Sequence, residues 1–229
     1  QFEMMNVKTI VTADGLLKSR DKLRASQNMV FNNIDTPRTY FPIKYQSNFS
    51  YMINQVNGTP LIIKHLQSTQ GLGVFLARNI NEAKTLFAKF NKEEVNYLIQ
   101  EYIAESSGSD IRAFVVGGKV VATMRRKAPK GEFRSNIHRG GTGEKIELSE
   151  AESVLAVKTA KILGLGVAGV DILQSNRGPL VLEVNSSPGL KGIETATNKD
   201  ITSLIIQFVE KKHKLLESMS DRSKTRSKG

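Results

Sequence analysis

Two short apolar runs, each interrupted by one acid, give the clearest pattern in the chain. Gly166 to Leu173 is apolar around Asp171, and after the turn-rich Ser175-Asn176-Arg177-Gly178-Pro179 a second run, Leu180 to Val184, encloses Glu183. Apolar runs of this length around turn residues predict a β-hairpin. Alternation along a strand puts Val181, Glu183 and Asn185 on one face and Leu180, Leu182 and Val184 on the other, and folding about Asn176-Arg177 sets Asp171 across from Glu183 or one residue off. Upstream, Leu16, Leu17, Leu23, Met29 and Val30 among basic residues predict a helix over 14–33, stopped by Pro37. Thr59 to Lys64 reads as a strand, 68 to 73 as a glycine loop, and Val74 to Ala77 as a resumed strand. A helix from about Glu82 to Phe90, a strand over 97–103, and a hairpin of 111–116 with 119–124 around Gly117-Gly118 follow. Ser149 and Glu152 form a capping box for a helix that Gly164 closes, and Asp200 caps a last helix from Ile201 to about Leu215. Helices and strands alternate, and no repeat with a period of 20 to 50 residues is visible.

Composition narrows the class. With 229 residues, 39% hydrophobic and 24% charged, the chain suits one sizeable globular domain or two small ones. There is no cysteine, which excludes disulfides, zinc–thiolate sites and cysteine nucleophiles. No apolar run approaches the roughly 18 residues that span a bilayer, so a cytoplasmic protein without membrane contact is the expectation. The net charge is +11 and the pI about 9.8. From Lys211 onward seven Lys/Arg face two acids, 7 − 2 = +5, leaving +6 for the rest. Residues 216–229 read as a disordered basic tail, either merely solvated or in contact with RNA, a ribosome or an acidic protein. Nothing in the sequence identifies a dedicated nucleic-acid reader.

Three stretches carry chemistry. Asp171 and Glu183, converging with the amide of Asn185, would repel each other without a counter-charge, and hard oxygen donors suit Mg²⁺. The alternative leaves Asp171 in a turn and Glu183 as a solvated strand residue. The 68–73 loop is neither a Walker A sequence nor a dinucleotide fingerprint, yet a glycine loop after Lys64 can fold over phosphates; a plain hairpin loop is the other reading. Arg125 to Gly143 is basic and glycine-rich, and Arg126, Arg134, His138 and Arg139 could hold carboxylate or phosphate oxygens, unless this is only a basic surface loop. Together these parts describe nucleotide-dependent phosphoryl transfer without a protein nucleophile.

The stretches SRDKLRASQ, STQGLGV, QEYI, DIRAFVVGGKVVA, FRSNIHRGG, VAGVDIL and RGPLVLEVNSSPGL, in this order, resemble an ATP-grasp ligase of the RimK type, a family that adds glutamate to the C-terminus of a small-subunit ribosomal protein. The resemblance reaches to about Glu210. It implies an α+β ATP-grasp fold in which two α+β subdomains grip ATP: residues 15–105 with a linker helix and the glycine loop, and 106–215 with the metal site. Residues 1–14 resemble the last piece of a further N-terminal domain. The resemblance implies that Lys22 and Lys64 contact phosphates under the loop with Gln70, Gly71 and Gly73. Glu101 and Tyr102 would line the adenine and Asp110 the ribose. Asp171, Glu183 and Asn185 would hold two Mg²⁺, with Mn²⁺ as a substitute. Arg134 and Asn136 would face the transferred phosphoryl group, and Arg112, Arg126, His138 and Arg139 would bind substrate carboxylates. The implied reaction passes through an acyl phosphate that the amine of L-glutamate displaces, on an acidic C-terminal peptide. A small cofactor or an amino-group carrier protein as acceptor, a non-catalytic nucleotide-binding module, and a homo-oligomer all stay open.

Overall fold

The computed structural model describes residues 1–43, 47–67, 73–135, 137 and 140–226, with the backbone alone for 215–226. The first two helices are α1 (Ala13–Arg20) and α2 (Lys22–Phe31), where the pattern predicted a single one. The break is at Asp21, whose backbone is extended and whose carboxylate accepts from the N–H groups of Leu23 and Arg24. An aspartate that captures backbone donors favours a cap over a helix interior, so the periodic stretch splits there.

Strand β1 (Thr39–Tyr40), helix α3 (Phe49–Asn54), β2 (Leu61–His65), β3 (Val74–Ala77), α4 (Ile80–Lys92) and β4 (Tyr97–Glu101) build the first layer. Its four strands pair antiparallel in the order β1-β4-β2-β3. Ile63, Ile99, Phe87, Phe90 and Tyr97 pack with Met52 of α3 to form its core. Because Lys64 lies opposite Val74, the predicted glycine loop joins two hydrogen-bonded neighbours. Of that loop Gly73 is described: its φ is +70°, which a residue without Cβ adopts at no cost, and its carbonyl accepts from the His65 N–H at 2.9 Å.

The second layer contains β5 (Ser109–Val116), β6 (Lys119–Lys127), β7 (Thr142–Lys145), α5 (Glu150–Ile162), β8 (Val167–Ser175), β9 (Gly178–Asn185), α6 (Lys191–Thr197) and α7 (Ile201–Arg226). The sheet is antiparallel in the order β7-β6-β5-β8-β9. The β5–β6 turn falls at Gly117-Gly118, and the Ser149–Glu152 capping box is present with both reciprocal bonds. Asp200 caps α7 by accepting from the Ser203 N–H at 2.9 Å. That helix runs to Arg226, past the predicted end near Leu215 and through most of the stretch expected to be disordered. No glycine or proline interrupts 201–226, so nothing in the local sequence stops helix propagation.

One face of this sheet packs Ile111, Ala113, Val115, Val170, Ile172, Val181 and Val184 against Ala156 and Ala160 of α5 and against Ala25 and Met29 of α2. Residues of α2, expected to group with 15–105, therefore pack into the core of the C-terminal layer. The other face packs Phe114, Ala122, Met124 and Val167 under Ile193, Ile201 and Phe208 at one end. At its other end the same face turns polar. The whole is an α+β fold of two antiparallel sheets with flanking helices.

Candidate active site

The polar end of that face lines a cleft of about 1530 Å³, whose opposite wall is Ile62, Lys64, Leu98 and Gln100 from the first sheet. Strand alternation explains which groups reach it. On β5, Ile111 and Ala113 point into the core, which sends Asp110 and Arg112 to the cleft side; on β8, Val170 and Ile172 do the same for Asp171. The hairpin forms as its turn residues dictate, with Asp171 paired to Glu183. One detail differs from simple alternation. Ile172 pairs with Val181, so Leu182 is an extra residue, and this β-bulge returns Val181 to the core beside Val184 instead of leaving it on the face of Glu183 and Asn185.

The acids and arginines form a buried network. Arg112 donates through Nε to Asp171 Oδ1 and through Nη2 to Oδ2 at 2.7 Å. Arg126 lies 2.8 Å from Asp171 Oδ2 and donates to both oxygens of Asp110, at 2.6 and 2.5 Å. Asp171 is 1% exposed. Burial alone would raise its carboxyl, but Arg112 and Arg126 hold it down at about 2. Asp110 is pushed upward, because burial and the adjacent Asp171 outweigh Arg126. Burial opposes the charge on Arg126 as well, yet the two aspartates raise its pKa and keep it cationic. Asp110, expected at a ribose, is engaged with Arg126 in this structure. Gly169 makes room for the network: a Cβ there would come within 2.8 Å of Pro188 Cβ and 3.2 Å of Arg112 Cδ.

Glu183 is exposed and accepts from Asn185 Nδ2 at 3.3 Å. Facing it across the cleft, Lys64 is brought down to about 8 by burial and by Lys22, with Glu183 pulling it back up. Lys22 is lowered by burial, opposed by Glu183, and donates to the Leu66 carbonyl at 3.0 Å. The two lysines predicted from distant segments thus converge on one acid.

Arg134 spans the layers. It pairs with Glu132 at 2.7 Å and reaches the Val74 carbonyl of β3 at 3.4 Å. Hydrogen bonds from Arg134 hold the Glu132 carboxyl at about 2. Glu101 also lines the cleft, 6% exposed, in contact with Arg177 from the β8–β9 turn and 3.9 Å from Arg38. The Tyr102 hydroxyl lies 2.6 Å from Ser107 Oγ. Glu132, Arg177 and Arg38 were not singled out from the sequence; the Glu132-Phe133-Arg134 spacing was the one local signal available. Gln70, Gly71, Asn136, His138 and Arg139 lie outside the described residues.

Among the described residues no trio of His, Cys, Asp or Glu is grouped for a metal. Asp171, Glu183 and Asn185 nevertheless offer two carboxylates and an amide oxygen on one side of a two-stranded ladder, a donor set that fits a hard divalent cation. The fit carries one condition, that Asp171 exchanges a guanidinium for the ion. No helix among the described residues is long and apolar enough to cross a membrane.

Comparison with known proteins agrees with this geometry. The RimK-like ATP-grasp domain matches residues 19–209. A protein of Methanococcoides burtonii named probable alpha-L-glutamate ligase is 50% identical over 229 residues, all of this chain and 74% of that protein. Among solved structures, a D-alanine–D-alanine ligase from Bacillus anthracis superposes with a TM-score of 0.73 at 17% identity, over 96% of this chain and 75% of the other. The ATP-grasp ligase PsnB, solved with a phosphomimetic variant of its minimal precursor, Mg and ADP, gives 0.67 at 18% identity, over 90% of this chain and 63% of that one. The two structures share the fold; the sequence match over most of the length goes further, and by it the chain belongs to the RimK-like ATP-grasp family of ATP-dependent amide-forming ligases.

Proposed function

We propose that this chain joins the amine of L-glutamate to a carboxylate of an acidic peptide, the C-terminus of a small-subunit ribosomal protein, using ATP in the cytoplasm. The convergence of Lys22 and Lys64 on the cleft side of Glu183, facing the Arg112 and Arg126 network, carries this reading. The acceptor carboxylate attacks the γ-phosphate, ADP leaves, and the glutamate amine displaces phosphate from the acyl phosphate. Lys22 and Lys64 hold the phosphates under the loop of Gln70, Gly71 and Gly73, Glu101 and Tyr102 flank the adenine, and Arg134 with Asn136 steadies the phosphoryl group. Arg112, His138 and Arg139 supply guanidinium and imidazole donors for substrate carboxylates, whereas Arg126, expected to do the same, is buried and stays with Asp110 and Asp171. A divalent ion pair, Mg²⁺ or Mn²⁺, would be held by Asp171, Glu183 and Asn185 and would neutralise charge on the phosphates. The relative named as a glutamate ligase supports the amino acid, and PsnB, a ligase of this fold, has been solved in complex with a precursor peptide. The net charge of +11 favours an acidic acceptor.

Two experiments test the reading. A lysine at about 8 is charged below that pH and neutral above it. Phosphate binding needs the charged form, so the apparent Kd for ATP should weaken as pH rises through 8, approaching roughly tenfold per pH unit. Lys64→Arg should flatten that dependence; a wild-type profile that is already flat from pH 7 to 9.5 removes Lys64 from the phosphates. The acceptor is tested by mass spectrometry of the ribosomal protein and of acidic peptides after incubation with the chain, ATP, Mg²⁺ and mixed amino acids. Additions in steps of one glutamate residue are expected. No addition in a preparation shown to bind ATP overturns the peptide acceptor and favours a small-molecule one.

A further inference from the structure

Of the three oxygen donors read as a metal set, Glu183 and Asn185 touch each other, whereas both oxygens of Asp171 contact guanidiniums. A carboxylate offers about four lone-pair directions, and Arg112 with Arg126 takes three at Asp171. The two arginines are held differently. Arg126 is 5% exposed and anchored by two further bonds to Asp110. Among the described residues Arg112 donates to Asp171 alone, and its side chain, 12% exposed against 6% for that of Arg126, lines the cleft beside Gly169. A divalent cation and a guanidinium repel each other at a shared carboxylate, and the less anchored cation is the one that leaves.

We propose that Arg112 is a resident counter-cation at Asp171 which a divalent ion displaces, so that metal loading releases the Arg112 guanidinium into the cleft as an anion-binding group. The inference rests on the reading of Asp171, Glu183 and Asn185 as metal donors. It makes metal entry precede tight capture of the acceptor carboxylate, because the same arginine serves first one carboxylate and then the other.

The test is a Mn²⁺ titration of the 229-residue chain followed by electron paramagnetic resonance, in wild type, Arg112→Met and Glu183→Gln. Arg112→Met should bind Mn²⁺ about fivefold tighter than wild type, since no ion pair has to be broken first. Its melting temperature without metal should fall and should recover on adding Mn²⁺. An Mn²⁺ affinity unchanged by Arg112→Met, with Glu183→Gln still abolishing binding, overturns the exchange and leaves the metal site standing. Binding that is indifferent to Glu183→Gln overturns the metal site, and the exchange with it. A second measurement needs no variant: in wild type, Mg²⁺ should speed hydrogen exchange at the Arg112 Nε–H followed by ¹⁵N NMR, and an unaltered signal at saturating Mg²⁺ overturns the proposal.

Discussion

Glu183→Gln should remove ligation, with kcat falling by on the order of 10³-fold, while the fold stays intact to within about 0.5 kcal/mol. Both halves follow from where the residue sits. Its side chain is exposed on the cleft face of β9 and packs in none of the three cores. Gln has nearly the same shape and can still meet Asn185, so little packing changes. The charge, however, is central. Glu183 faces Asp171 in register, and its attraction raises the pKa of both Lys22 and Lys64. Without it Lys64 drops below 8 and loses charge near neutral pH, and the metal donor set loses one of its two carboxylates. The check combines steady-state kinetics with a thermal melt of the same preparation. Near-normal turnover with an unchanged melt would sink the role given to this residue. Lost turnover with a collapsed melt would show that Glu183 acts on the fold instead.

Why Glu183 was readable in advance, and Glu101–Arg177 was not, comes down to the range of the forces involved. A hairpin is local: the turn residues 175–179 and the period of two fix which acid faces which, and the Asp171–Glu183 register followed. The Ser149–Glu152 box and the Asp200 cap are similarly contained within one turn of helix. Departures arose where a single residue broke a period. Asp21 captured two backbone donors and divided a helix, and Leu182 entered as a bulge residue and returned Val181 to the core. Strand β7 is exposed along its whole length, so no hydrophobic alternation marks it. Side-chain pairing between layers lies beyond any local signal. Arg177 reaches Glu101 only once the two layers meet, and Arg112 reaches Asp171, 59 residues away in the chain, only once β5 and β8 have paired within their sheet, so an arginine read as a substrate group can equally serve a buried aspartate.

That buried pairing should also be the most costly place in the molecule to cut. Arg126→Met is expected to destabilise the chain by about 3–5 kcal/mol, the usual loss when one partner of a buried ion pair is removed and the other stays behind. Here two acids stay behind, since Arg126 serves both Asp110 and Asp171. Arg112 compensates only Asp171, leaving Asp110 without a cation at hydrogen-bond distance among the described residues. Removing the stranded charge should restore stability: Arg126→Met with Asp110→Leu should recover much of the loss, as a double-mutant cycle by chemical denaturation would show. The pH dependence has a definite sign. In the wild type the Asp171 carboxyl sits at about 2, below its unfolded value, so its contribution is present above about 4 and disappears as pH falls toward 2. In Arg126→Met the Asp110 carboxyl, already raised by burial, rises further. Its folded form then binds a proton more readily than the unfolded chain, so acidification from pH 7 toward 5 stabilises the variant and narrows its gap to the wild type. A gap that is constant with pH, or a single substitution costing no more than a surface one, would show that Asp110 and Asp171 are not held as charges by Arg126.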